Sequence, residues 1–74
     1  MPDWPHLSGV EIVKALERLG FVQQRQRGSH VVMRRGAFGC VVPLHREVKV
    51  DTLVGLVRQA GLDAEEFLAA LKGL

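Results

Sequence analysis

Seventy-four residues, 47% hydrophobic and 24% charged, with a single cysteine and a net charge of +2, describe one small globular domain spanning residues 1–74. No apolar run approaches the roughly 20 residues of a membrane-spanning helix. Residues Met1 to Leu7 form a short leader that lacks the basic start and apolar stretch of a signal peptide, so no membrane role and a cytoplasmic location are expected. A chain of this size buries only about 60% of the surface it exposes when unfolded, so any chemistry should sit on an open face.

The first element is announced by a capping box. The Ser8 hydroxyl can accept from the backbone three residues on, and Glu11 can reach back to Ser8. Apolar Ile12, Leu16 and Leu19, widened by Val13 and Ala15, predict a helix to about Leu19, with Leu7 placed to staple against Ile12 and Gly20 placed to end it. From Phe21 the period becomes strand-like. Phe21 to Gln26 is a first strand, polar enough to be wet on one face, and Arg27-Gly28 is a tight turn. His30 to Arg34 is a second strand, and Cys40-Val41-Val42, after a hairpin loop bracketed by Gly36 and Gly39, is a third that Pro43 ends.

Leu44 to Lys49 is a loop. Leu53, Leu56, Val57 and Ala60 then fall at helical spacing, and Gly61 stops that helix. Asp63 and Glu66 make a second capping box, opening a short helix with Ala64, Phe67, Leu68 and Leu71 on its apolar face. The order is α-β-β-β-α-α. It predicts an α+β fold in which helices cover one face of a three-stranded antiparallel sheet and leave the other open.

Charge is concentrated in the middle. Residues 25–49 hold six cations (Arg25, Arg27, Arg34, Arg35, Arg46, Lys49) against Glu47 alone, a balance of +5, while the remaining residues sum to −3. A basic centre between acidic flanks is the footprint of a polyanion binder. Gly28-Ser29-His30 lies inside it, with Arg25 and Arg27 before the histidine and Arg34 on its strand face. An imidazole beside cations that hold a phosphodiester suits general acid–base attack by a ribose 2′-hydroxyl. His45, after Pro43, is a second acid–base group or a phosphate contact. His6 is given no role.

Other chemistries fare worse. His30, Cys40, His45 and Glu47 match no tight zinc spacing, and no carboxylate pair lies near the basic stretch to hold magnesium, so no metal or cofactor is expected. Cys40 reads as a small buried hydrophobe rather than a reactive thiolate. Trp4 and Phe38 read as an anchor for the leader and a cap on the core. A DNA-binding helix-turn-helix over 51–71 fails because Asp63, Glu65 and Glu66 open the supposed reading helix, where base and phosphate contacts need cations. A non-catalytic RNA-binding module remains the alternative, in which His30 is dispensable.

Taken in order, these fragments resemble the HicA (YcfA-like) mRNA interferase toxins from Leu7 to Leu71. The resemblance rests on Leu16-Glu17-Arg18-Leu19-Gly20-Phe21, Arg25-Gln26-Arg27-Gly28-Ser29-His30, Val42-Pro43-Leu44-His45, Thr52-Leu53, Arg58-Gln59-Ala60-Gly61-Leu62 and Glu66-Phe67-Leu68. It implies a fold similar to a double-stranded-RNA-binding domain, metal-independent cleavage of messenger RNA with His30 essential, and a HicB-type antitoxin that covers the active surface. Arg25, Arg27, Ser29, Arg34, His45, Arg46 and Lys49 are then the expected RNA contacts. Two positions depart from the family pattern. Asp51 stands where many relatives have glycine and reads as a helix cap. Val31 stands where many carry a second histidine or an aromatic after the Gly-Ser-His motif.

Overall fold

A computed structural model describes residues 3–72, so Met1 and Pro2 of the leader lie outside the described residues. Six elements follow in the expected order: α1 (Gly9–Arg18), β1 (Val22–Arg27), β2 (His30–Arg35), β3 (Phe38–Pro43), α2 (Val50–Gln59) and α3 (Ala64–Ala70). The strands form one antiparallel sheet in the order β1-β2-β3. This α+β arrangement is compatible with a double-stranded-RNA-binding-domain architecture. No helix among the described residues is long and apolar enough to cross a membrane.

Both capping boxes form. The Ser8 and Asp63 side chains accept from Glu11 and Glu66 backbone N–H groups, and the two glutamates reach back to the cap backbones. The Ser8 backbone N–H bonds the Glu11 carboxylate and is the main reason its pKa is lowered. Both longer helices end alike. Phe21 N–H reaches the Leu16 carbonyl and Gly20 N–H that of Glu17, while Leu62 reaches Val57 and Gly61 reaches Arg58. These are paired Schellman bonds. At Gly61 the backbone takes φ +73°, and the Phe38 ring lies so close that a Cβ there would meet it at 2.6 Å. Phe38 is thus a half-exposed cap on the end of α2.

The core lies between the helices and one sheet face. Ile12, Leu16, Phe21, Val31, Met33, Val42, Leu53 and Phe67 are among its fully enclosed side chains. Cys40 joins them, and burial pushes its thiol up to about 11, as suits a packing residue. Leu7 is buried in the same core as Ile12 and bridges to Val48, and Trp4 sits 6.3 Å from Phe67, so the leader is anchored.

Four expectations need correction. β1 begins at Val22 rather than Phe21, and all six of its residues are exposed, so it is wet on both faces. The physical reason is placement: α1 and α2 pack on β3, leaving β1 outboard with a groove between its underside and α1. The first turn is Gly28-Ser29, not Arg27-Gly28, because Arg27 still pairs with His30. The second hairpin turns in two residues, Gly36-Ala37, so β3 starts at Phe38 and takes in both Gly39 and Pro43. Finally, the N-cap of α2 is Lys49, with no side-chain cap bond; Asp51 lies within the first turn, where a carboxylate favours the helix dipole but cannot cap.

Candidate functional site

Cross-strand neighbours in a sheet share a face. On the face away from the helices, Arg27 stands beside His30 and Pro43, Arg25 beside Val32 and Val41, and Val22 beside Arg34 and Gly39. Residues Val31, Met33, Cys40 and Val42 turn the other way, into the core. Strict alternation along β1 would put Arg25 and Arg27 opposite Val22. A bulge at Gln24, left unpaired between Gln23 and Arg25, shifts the period by one residue. That irregularity puts Arg25 and Arg27 on the face that His30 and Arg34 already share by alternation along β2.

The three arginines are not equally near the histidine. Arg27 is its direct cross-strand partner, whereas Arg34 is four residues along β2, about 13 Å away. The Arg34 side chain crosses Gly39 on β3, where a Cβ would press on it at 3.1 Å. Arg35, counted in the basic segment, is engaged elsewhere. Its guanidinium donates to the Leu19 carbonyl at 2.8 Å and lies 4.8 Å from the Phe21 ring centroid, so it tethers the end of α1 to the sheet.

His30 opens β2, directly after the Gly28-Ser29 turn, and is exposed. Its ring centroid is 6.4 Å from that of His45, edge to face at 71°. Both rings line a cleft of about 400 Å³ together with Pro43, Glu47, Val48, Lys49 and Thr52. Two backbone hydrogen bonds hold the loop that carries His45. Leu44 N–H donates to the Ser29 carbonyl at 2.6 Å, and Gly9 N–H donates to the His45 carbonyl at 2.9 Å. Gly9 can approach only because it lacks a side chain: a Cβ there would overlap the Pro43 oxygen and fall 2.7 Å from the Leu44 Cα.

Of the residues read from sequence, the cleft therefore gathers His30, His45 and Lys49, and the open face adds Arg25, Arg27 and Arg34. Ser29 contributes through its carbonyl, which bonds Leu44. Arg46 is exposed in the bend after His45 but does not line the cleft. Sequence reasoning missed Thr52 as a cleft residue, although Thr52-Leu53 was among the fragments of the resemblance; Thr52 lies in the first turn of α2, which faces the histidines. It also missed Gly9, and gave His6 no role. His6 Nδ1 lies 3.1 Å from the Glu47 carboxylate, joining the leader to the loop by a pair that is mostly exposed and so weak. Among the described residues, no three His, Cys, Asp or Glu side chains converge as metal ligands would.

An open face with three guanidinium groups can hold a polyanion, and two imidazoles at its edge can move protons. The family profile described as HicA toxin of bacterial toxin–antitoxin matches residues 9–62, about three-quarters of the sequence and the whole of the sheet, the cleft and α2. The chain belongs to the HicA toxin family. Comparison with curated proteins returns no match. Every residue that builds the cleft or the basic face of this HicA-family chain lies inside the matched span, and membership in a toxin–antitoxin family implies an antitoxin partner.

Proposed function

We propose that this toxin is a metal-independent RNA endonuclease acting on messenger RNA, with His30 moving the proton and the RNA's own 2′-hydroxyl as nucleophile. The observation that carries this reading is the shared face: His30 beside Arg27, with Arg25 and Arg34 on the same uncovered side of the sheet. Cations along that face suit the phosphates of a single strand. The 2′-hydroxyl is already held next to the phosphorus, so its attack needs orientation and a base rather than a second reactant. His30 takes its proton. Arg27 steadies the charge that builds on the phosphate oxygens in the transition state. Lys49 adds a contact in the cleft that His45 also lines, and Arg46 one beside it.

The antitoxin in this reading is a HicB-type protein that silences the toxin by covering the same face. An inhibitor with acidic groups opposite the arginines and apolar groups opposite Val22, Val32 and Val41 would match that surface. RNA and antitoxin should then exclude one another. A ternary complex with undiminished cleavage would contradict direct occlusion.

The deciding experiment is cleavage by purified wild type and His30→Ala, with the melting transition of each recorded first. His30 is exposed, so the variant should fold. Its rate should fall on the order of 10²–10⁴. Wild-type cleavage should persist in EDTA, leave a 2′,3′-cyclic phosphate or its hydrolysis product, and stop when the scissile ribose is 2′-deoxy. A folded His30→Ala that cuts as fast as wild type removes His30 from the reaction. Wild type that binds RNA but never cuts it would leave a non-catalytic binding module.

A further inference from the structure

Cleavage through a 2′-hydroxyl moves two protons, not one. The first leaves the attacking oxygen as it bonds to phosphorus. The second must reach the departing 5′-oxygen, because an alkoxide is a poor leaving group in water. Entering and leaving oxygens lie roughly in line across the phosphorus, so a base on one side is badly placed to serve the other. A single imidazole leaves the second proton unassigned.

We propose that His45 supplies that second proton, acting as the general acid opposite His30; this rests on the ribonuclease reading above. The rings stand 6.4 Å apart at 71° across one cleft, both exposed. Among the described residues neither ring is engaged by another side chain through a hydrogen bond. The other ionisable groups lining the cleft are a carboxylate, Glu47, and an ammonium, Lys49. Imidazole is the class of side chain whose ordinary titration range lies nearest neutrality, where proton donation in a transition state is most efficient.

The segment that carries His45 is held by its backbone. Pro43 pairs with His30 in the sheet, Leu44 N–H donates to the Ser29 carbonyl beside His30, and Gly9 N–H donates to the His45 carbonyl. Three consecutive residues thus bind the His45 segment to the His30 turn and to the start of α1. Gly9 is pressed against Pro43 and Leu44, so this segment cannot shift without displacing the start of α1.

In the balanced step, His30 removes the 2′-hydroxyl proton while the 2′-oxygen bonds to phosphorus. The bond from phosphorus to the 5′-oxygen breaks, its electron pair stays on that oxygen, and the oxygen takes a proton from His45. The products are a 2′,3′-cyclic phosphate and a 5′-hydroxyl. The two rings end with exchanged protonation states, which solvent restores.

A 5′-sulfur at the scissile position separates acid catalysis from every other role, because a thiolate leaves without a proton far more readily than an alkoxide. Wild type, His45→Ala, His45→Gln and His30→Ala are compared on matched oxygen and sulfur substrates after their melting transitions are recorded. Both His45 variants should lose on the order of 10²–10⁴ on the oxygen substrate and return to near the wild-type rate on sulfur. His30→Ala should stay slow on both. Equal impairment of the His45 variants on oxygen and sulfur would make His45 a phosphate contact and overturn the proposal, as would unimpaired cleavage of the oxygen substrate. Rescue of His30→Ala instead of His45→Ala would overturn the assignment by reversing it. Wild type that cuts neither substrate refutes the ribonuclease reading itself and the proposal with it.

Discussion

Two glycine-to-alanine changes should shift stability in opposite directions, and their contrast tests the packing that holds the His45 loop. At Gly9 an added Cβ overlaps the Pro43 oxygen and falls 2.7 Å from the Leu44 Cα. Those are backbone atoms, so no rotamer change relieves them. Ordinary contact begins near 3.4 Å, so α1 and the loop must move apart as whole segments. That movement strains the close-packed junction by about 1–3 kcal/mol and breaks the 2.9 Å bond from Gly9 N–H to the His45 carbonyl, about 0.5–1.5 kcal/mol more. Better helix propensity returns at most about 1 kcal/mol. A net loss near 2 kcal/mol lowers the melting temperature by roughly 8–16 °C in a domain this small. Gly55, inside α2, is exposed, has no positive φ, and an added methyl there would meet no atom within 4 Å. Gly55→Ala should gain about 0.8–1.0 kcal/mol and melt several degrees higher. Circular dichroism melts of the three proteins suffice. A Gly9→Ala protein that melts at or above wild type would refute the claim that this junction is tightly packed.

Replacing Arg25, Arg27 and Arg34 together with glutamine should reduce the slope of log affinity against log salt by about 2 on single-stranded RNA, at ~0.7 per phosphate contact; Arg18→Gln with Lys72→Gln should barely change it, and equal effects would mean the sheet face is not where RNA binds. Cys40, buried with its thiol pushed up to about 11, should present on the order of 10² less thiolate at pH 8 than an ordinary cysteine, so alkylation must be far slower in the folded protein than in guanidinium; comparable rates would contradict its burial. Glu11 has a lowered folded pKa, so its capping contribution is present above the ordinary glutamate value of 4.5 and is lost as pH falls through the folded value. The melting gap between wild type and Glu11→Ala should accordingly close in acid, and a gap that widens there would reverse the sign of the argument.

The helices were legible in the sequence because their signals are local. A capping box, an apolar stripe and a terminal glycine each lie within a few residues, and each formed at Ser8–Gly20, with the capping box and stripe repeated at Asp63–Leu71. The sheet was legible in number and order but not in register. Nothing in Val22-Gln23-Gln24-Arg25 marks Gln24 as the extra residue, since this bulge uses no glycine. The side on which Arg25 and Arg27 emerge depends on that one residue. Arg35 failed for a related reason: its charge is visible in the sequence, whereas the Leu19 carbonyl and Phe21 ring that engage it are brought near only by the tertiary fold. The pairing of His30 with His45, fifteen positions apart, is likewise a product of the β2–β3 register and the Leu44–Ser29 bond.

In a chain this short the contacts that make the fold also place the chemistry. Gly9 is the first residue of α1, buried at its start, and the donor that fixes the His45 carbonyl. Ser29 turns the first hairpin and anchors the loop leaving the third strand. Side chains on the open face are different. Arg25, Arg27, His30 and His45 are exposed and make no hydrogen bond to other side chains among the described residues, so their removal should cost little stability, as surface changes generally do. Loss of activity through Gly9 should therefore come with a lowered melting temperature, and loss through the face residues without one. That division lets a stability measurement distinguish a residue that positions the site from one that acts in it.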